Sequence, residues 1–337
     1  MAEEARDLTR RYFGRTMRMF APLYLSNECI NNCRYCGFSR DNPILRVTLT
    51  IEQVLAEAQH LVEQGFRQVL LVAGEHPKFV HGGYLAECVR LLQPLFSSVA
   101  LELGPMETLD YEPLVAAGAE SLVVYQETYD RAIYAEMHTS GPKRDFKWRL
   151  NCPERAYAAG FRRIGIGALF GLGPWRQEAI SLAGHLEYLL KRCWQSDFTV
   201  SLPRLRPAAG EFQPPFSLGD RDLARLICAF RICFPQVGIV LSTREPAPLR
   251  DALASLGVTT MSSGSHTEPG GYTGQGKREA HQTVRGRVLP PDESNEQIAT
   301  GQFQISDERS PAEVARVLRG RGLEPVWKDW DQALASR

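Results

Sequence analysis

The cysteine group near the start of this chain lacks a fourth member. Cys29, Cys33 and Cys36 stand together in Ser26-Asn-Glu-Cys-Ile-Asn-Asn-Cys-Arg-Tyr-Cys-Gly37. No second C-x2-C pair occurs anywhere, the nearest histidine in sequence is His60, and no cysteine follows Cys233. Structural zinc closes four-coordinate on Cys and His at short spacing, so the missing partner counts against it. Neither sign of charge is in excess, with 39 Lys+Arg against 39 Asp+Glu, and the balance gives no reason to expect nucleic acid or another polyanion as partner. No apolar run approaches the length of a membrane span. The opening Met-Ala-Glu-Glu-Ala-Arg-Asp carries no apolar signal segment. These absences predict a soluble, cytoplasmic protein with no membrane contact, and they count against disulfides.

The three cysteines themselves carry the chemistry. Thiolate is the ligand that iron–sulfur clusters select. A four-iron cluster has four corners, and three thiolates closing on it leave one iron free to bind something that reacts. Zinc and a disulfide remain the alternatives. The C-x3-C-x2-C spacing, with Tyr35 just before the last cysteine, resembles the signature of the radical S-adenosylmethionine (SAM) enzymes. Cys88, Cys152, Cys193, Cys228 and Cys233 sit in apolar or helical surroundings and read as buried structural thiols.

A length of 337 residues with 44% hydrophobic content suits one large α/β barrel or two ordinary domains. Eight short apolar runs recur: 17–25, 68–74, 99–104, 121–126, 163–170, 197–202, 237–242 and 258–261. Helical periodicity separates them, as at 51–64, 84–96, 179–194 and 221–234. Ala-Ala-Gly at 116–118 and 158–160 and Glu-Gln-Gly at 63–65 read as glycine stops after helices. The pattern predicts an α/β fold, a single (βα)8 TIM-type barrel, with a doubly wound sheet as second choice. The expected organisation is a helical N-terminal segment at 1–16, the barrel at 17–272, an irregular insertion at 273–301, and a C-terminal helix and tail at 302–337 packing on the barrel. The insertion, with its Gly, Gln, Arg and Pro-Pro, reads as a surface loop or as a lid or docking segment.

In such a barrel, active groups lie just past the C-terminal ends of strands. The polar clusters fall there: the cysteine loop, Gly74-Glu75-His76, Tyr125-Gln126-Glu127-Thr128, Pro203-Arg204-Leu205-Arg206, Thr243-Arg244-Glu245 and Ser262-Ser263-Gly264-Ser265. If SAM occupies the open iron, its amine needs acceptors, which Glu75 and the carbonyl of Gly74 can supply. Its carboxylate needs a cation, and Arg149 is the candidate. Glu127 can take the ribose hydroxyls if its face of the strand points inward. Tyr35 and Leu169 can pack on adenine, and the glycines of Gly165–Gly171 let backbone approach a ligand closely. The structural alternatives are a helix-capping role for Glu75 and a surface ion pair for Arg149.

Further stretches carry a closer resemblance: Pro22–Asn27, Leu71–His76, Val124–Tyr129, Asp145–Arg149, Pro203–Pro207, Leu241–Pro246, Pro269–Tyr272 and the ending Gly322–Asp331. Together they resemble the 2-iminoacetate synthase family, the tyrosine lyases of thiamine thiazole biosynthesis, over nearly the whole chain from Leu8. The resemblance implies a radical SAM carbon–carbon lyase with a [4Fe-4S] cluster held by Cys29, Cys33 and Cys36. It implies cleavage of the Cα–Cβ bond of L-tyrosine to 2-iminoacetate and p-cresol, with SAM yielding methionine and 5′-deoxyadenosine. Arg244 is then the candidate for the tyrosine carboxylate, unless it pairs with Glu245 or Glu268. Ser262 can add a hydroxyl contact, Tyr24 can lie close to substrate, and Arg204 can complete the charge set. A thiazole synthase complex and a flavodoxin or ferredoxin electron donor are the implied partners. A tryptophan-type radical SAM lyase and a non-catalytic iron–sulfur protein on the same fold stand as alternatives.

Overall fold

The structure is a computed structural model that describes residues 1–289 and 297–328. Eight parallel strands form its centre: β1 (Thr16–Ser26), β2 (Gln68–Ala73), β3 (Ser98–Glu102), β4 (Ser121–Val123), β5 (Arg163–Gly167), β6 (Asp197–Ser201), β7 (Gly238–Leu241) and β8 (Thr260–Ser262). Each pairs with the next, and β1 pairs with β8 through Arg18↔Thr260 to Phe20↔Ser262, which closes the ring. Every apolar run read from the sequence is a strand of this barrel, and the doubly wound alternative falls with the closure.

Crossover helices cover the outside, as parallel strands require. They bury one apolar stripe each: Ile51–Glu63 packs Val54, Ala58 and Leu61 inward, and Trp175–Arg192 packs Leu182, Leu186 and Leu189. Thr50 starts the first of these with a capping box, its hydroxyl accepting from the Gln53 amide while the Gln53 side chain accepts from the Thr50 amide. The predicted glycine stops hold at Gly118 (φ 113°) and Gly160 (φ 97°), where a left-handed turn ends the helix and aims the chain at the next strand.

The terminal segments close the ends. Helix Ala2–Phe13 lies against helix Asp220–Cys233, with the Arg231 guanidinium 4.7 Å from the Phe13 ring centroid. Helix Pro311–Gly320 leads to a strand, Glu324–Val326, that pairs in parallel with Thr16–Arg18 of β1. Trp327 then packs edge-on against Phe66 at 5.1 Å. Residues 329–331 of the family-like ending lie outside the described residues.

The insertion is more ordered than its composition suggests. His281–Val284 pairs antiparallel with Ile44–Arg46, just after the cysteine loop, and turns back through Arg287–Val288. Buried Arg46 fixes it. Its guanidinium donates to the carbonyls of Asn27, Phe38 and Ser39 and to the Thr283 hydroxyl at 2.6 Å, tying insertion, strand and cysteine loop together. Residues 290–296 of the expected insertion lie outside the described residues. No described helix is long and apolar enough to cross a membrane.

Candidate functional site

The cysteine loop leaves β1 at Ser26 and is held by backbone bonds at both ends. Ile30 N–H donates to the Glu75 carbonyl at 2.8 Å, and Gly37 N–H to the Gln302 carbonyl at 3.1 Å. Asn32–Cys33 forms a short antiparallel pair with His138–Ser140. Cys29, Cys33 and Cys36 line one cavity together with Gly74, Glu75, Glu127 and Arg149. All seven of those residues were expected at one cofactor site, and the fold brings them together. Gly74 has no alternative here: a Cβ on it would run into the carbonyl of Glu28. Glu75 accepts from Asn31 Nδ2 at 2.6 Å, which holds its carboxylate beside the cysteines.

Among the described residues, no three His, Cys, Asp or Glu side chains converge on a single-ion site. Three cysteines without a fourth Cys or His beside them suit a cluster with one open corner better than structural zinc. Asn31 Nδ2 lies 3.8 Å from Cys29 Sγ and Gln302 Nε2 4.0 Å from Cys36 Sγ, so two amides face the sulfurs. Burial pushes the Cys33 and Cys36 thiols up, and binding a cluster through their thiolates must therefore release protons.

Glu127 points inward, as a ribose contact requires. Its backbone sits at φ 71°, and its carboxylate accepts from Lys143 Nζ at 2.8 Å and Arg149 Nη2 at 3.3 Å. Burial alone would raise this carboxyl, but the two cations outweigh it and hold it below the ordinary carboxylate value. Arg149 is no surface residue. It is buried and also donates through Nε to the Tyr125 carbonyl at 2.6 Å. Tyr35 donates its hydroxyl to His138 Nε2 at 2.9 Å, while His138 Nδ1 donates to the Tyr134 carbonyl at 2.8 Å. Burial pushes His138 down to about 3, so the ring is neutral and this tautomer is fixed. Leu169 packs with Cys33, Tyr35 and Leu172, next to the cysteines.

The glycine run 165–171 does something other than expected. A Cβ on Gly167 would meet the Ser201 carbonyl at 2.6 Å and the Tyr125 ring at 2.8 Å, and one on Gly171 the Leu205 side chain at 2.9 Å. The missing side chains make room for the Ser201 carbonyl, Tyr125 and Leu205.

A second cavity adjoins the first and is lined by Tyr24, Arg244 and Ser262. Arg244 pairs with neither Glu245 nor Glu268; its guanidinium lies 3.4 Å from the centroid of the Phe303 ring. Glu245 is taken by Arg204, and Glu268 by His266 at 2.8 Å. Ser262 Oγ accepts from the Thr243 amide at 3.2 Å, and the Tyr24 hydroxyl donates to Gln302 Oε1 at 2.8 Å. Tyr35 and Leu169 line neither of these two cavities but a third, shared with Cys36, Glu127 and Arg244, whereas Arg204 is engaged elsewhere. It spends its donors on Glu245, the Leu218 carbonyl and Asp220, and it lines neither cavity.

Sequence reasoning missed Lys143, Gln302, Phe303 and Glu102. Lys143 lies on a 3-10 turn (Pro142–Arg144) well past the end of barrel strand β4, and Gln302 reaches the site from 278 residues beyond Tyr24, so neither had a local signal. Glu102 did have one. It is the last residue of β3, where the strand-end rule points.

A closed parallel barrel with a C-x3-C-x2-C loop and a carboxylate-lined cavity at its C-terminal rim defines a radical SAM enzyme. Residues 23–183 match the Radical SAM superfamily, and residues 201–324 match the Biotin and Thiamin Synthesis associated domain. The chain is 41% identical to 2-iminoacetate synthase of Escherichia coli (strain K12), over 99% of this chain and 83% of that protein. It superposes on the crystal structure of the FeFe-hydrogenase maturase HydG from Carboxydothermus hydrogenoformans with a TM-score of 0.84 and 37% identity, over 96% of this chain and 70% of that one. It shares its fold with methylornithine synthase at a TM-score of 0.73 and 23% identity, over 96% of this chain and 87% of that one. The chain belongs to the 2-iminoacetate synthase family. Its cofactors are the [4Fe-4S] cluster and SAM.

Proposed function

We propose that this protein cleaves the Cα–Cβ bond of L-tyrosine, giving 2-iminoacetate and p-cresol, for the thiazole moiety of thiamine. The observation that carries the reading is the joining of two cavities at the barrel rim. One is built for a cysteine-held cluster and SAM; the other presents a guanidinium and a hydroxyl suited to an amino acid. When bound, the cluster and SAM would supply the radical chemistry that opens the substrate's Cα–Cβ bond.

The chain's own residues bind and orient. Cys29, Cys33 and Cys36 would hold the cluster and leave SAM its place beside it. Glu75 and the Gly74 carbonyl accept from the SAM amine, Arg149 faces its carboxylate, and Glu127 takes the ribose hydroxyls. Tyr35 and Leu169 flank adenine. Arg244 grips the tyrosine carboxylate, which a planar fork does bidentately, while Phe303 beneath holds the fork in plane. Ser262 and Tyr24 add contacts at the substrate. Radical transfer needs reacting atoms held close and aligned, and these anchors on a rigid barrel rim provide that.

An imine of glyoxylate hydrolyses readily, which favours direct delivery to a thiazole synthase. A flavodoxin or ferredoxin is the proposed electron source. The test is anaerobic turnover with SAM, a reductant and tyrosine. The reading expects p-cresol and 5′-deoxyadenosine together; an intact cluster that yields neither contradicts it.

A further inference from the structure

The cofactor and substrate cavities share four lining residues: Val72, Glu102, Tyr125 and Gln302. Whatever passes between cofactor and substrate passes these side chains, and Glu102 is the acid among them. It ends β3 in register with Val72 of β2 and Val123 of β4. Strand alternation turns it to the same side as Ala100, into the barrel. Among the described residues its carboxylate makes no hydrogen bond or ion pair. The charges that face it are engaged elsewhere: Lys143 and Arg149 hold Glu127, and Arg244 lies on Phe303. The phenols of Tyr24 and Tyr125 face it as well. An acid so placed calls for a donor from a ligand.

An amino acid anchored by its carboxylate on Arg244 must turn its nitrogen toward the cofactor cavity, across the shared wall. An ammonium has no lone pair to stabilise a nitrogen-centred radical, so hydrogen removal from nitrogen needs the neutral amine. We infer that Glu102 takes the proton of the substrate ammonium, leaving a neutral amine facing the cofactor. The step moves one proton and no electrons: an N–H bond breaks, an O–H bond forms on Glu102, and the nitrogen keeps its pair. Burial raises the Glu102 carboxyl to about 7, with Arg244 pulling the other way, so it is able both to accept and to return a proton near neutral pH. This inference rests on the proposed function.

The test uses cluster- and SAM-loaded protein without reductant, so that tyrosine binds and nothing reacts. Calorimetric titration in two buffers of different ionisation enthalpy counts protons released on binding. Free protein and free tyrosine together hold more protons than the amine–carboxyl pair, which keeps one. The expected release is about half a proton at pH 7, rising toward one at pH 6 and falling toward zero at pH 8. Binding of 3-(4-hydroxyphenyl)propionate, which has no amine, is expected to release none. Glu102→Gln is expected to lose the tyrosine-linked release and p-cresol formation, with cluster absorption and SAM affinity unchanged. The inference is overturned by equal proton counts for tyrosine and the amine-free acid, or by Glu102→Gln forming p-cresol at the wild-type rate. Wild-type protein that forms no p-cresol under reductant marks failure of the functional reading instead.

Discussion

Glu127 sits in the left-handed backbone region without being glycine, a conformation that costs on the order of 1–3 kcal/mol and is held here by Lys143 and Arg149. Those two cations keep the carboxylate ionised inside a buried wall. Lys143→Met removes one of them. SAM affinity should fall roughly tenfold, about 1.4 kcal/mol, and fall further at pH 6 than at pH 8, because Glu127 then protonates more readily. Equilibrium dialysis at the two pH values reads the difference. At the other cavity, Arg244→Lys keeps the charge and loses the fork. Tyrosine should bind roughly tenfold more weakly while the cluster absorption stays the same. Cys33→Ala should abolish that absorption. An unaltered tyrosine affinity in the lysine variant would remove Arg244 from the substrate contacts.

At the level of elements, eight strands were legible because each is a short apolar run ending in polar or glycine residues. The rim residues followed from strand ends. The insertion was not legible. Its Gly, Gln, Arg and Pro-Pro carry no strand pattern, and the strand it pairs with, Ile44–Arg46, lies more than 200 residues earlier. The same distance hid Gln302, whose carbonyl accepts from the Gly37 amide of the cysteine loop and whose side chain faces Cys36. Lys143 was hidden by position, on a turn that the strand-end rule does not reach. Arg46 joins these pieces. Arg46→Met strips donors from three buried carbonyls, each worth about 1–3 kcal/mol when left without a partner. Stability should drop by on the order of 3 kcal/mol, and iron retained per chain after reconstitution should drop with it. Denaturant melts and iron analysis of the variant check both. Normal iron content would show that the cysteine loop holds its shape without this tie.

For the whole molecule, the barrel closes through β1 and β8, and the chain then folds back over the rim before helix Pro311–Gly320. A buried ion cluster secures that return. Arg250 pairs with Asp307, both fully enclosed, and Arg309 bridges Asp307 at 2.7 Å and Asp251 at 2.9 Å. Burial alone would raise the Asp307 carboxyl, but Arg309 and Arg250 hold it below its ordinary value. A carboxyl depressed in the fold stabilises above its unfolded pKa, and that contribution is lost as pH falls through the folded value. Asp307→Asn should therefore cost about 3–5 kcal/mol at neutral pH, by leaving Arg250 buried without its partner, and should flatten the acid limb of the stability profile. Thermal melts from pH 7 down to pH 3 read both effects.

A cysteine-held cluster, a rim of anchors and a closed barrel together cleave tyrosine. Anaerobic turnover of the reconstituted protein with SAM, reductant and L-tyrosine tests it most directly. p-Cresol should appear together with 5′-deoxyadenosine and should depend on Arg244. SAM cleavage without p-cresol, from protein with a full cluster, would contradict it.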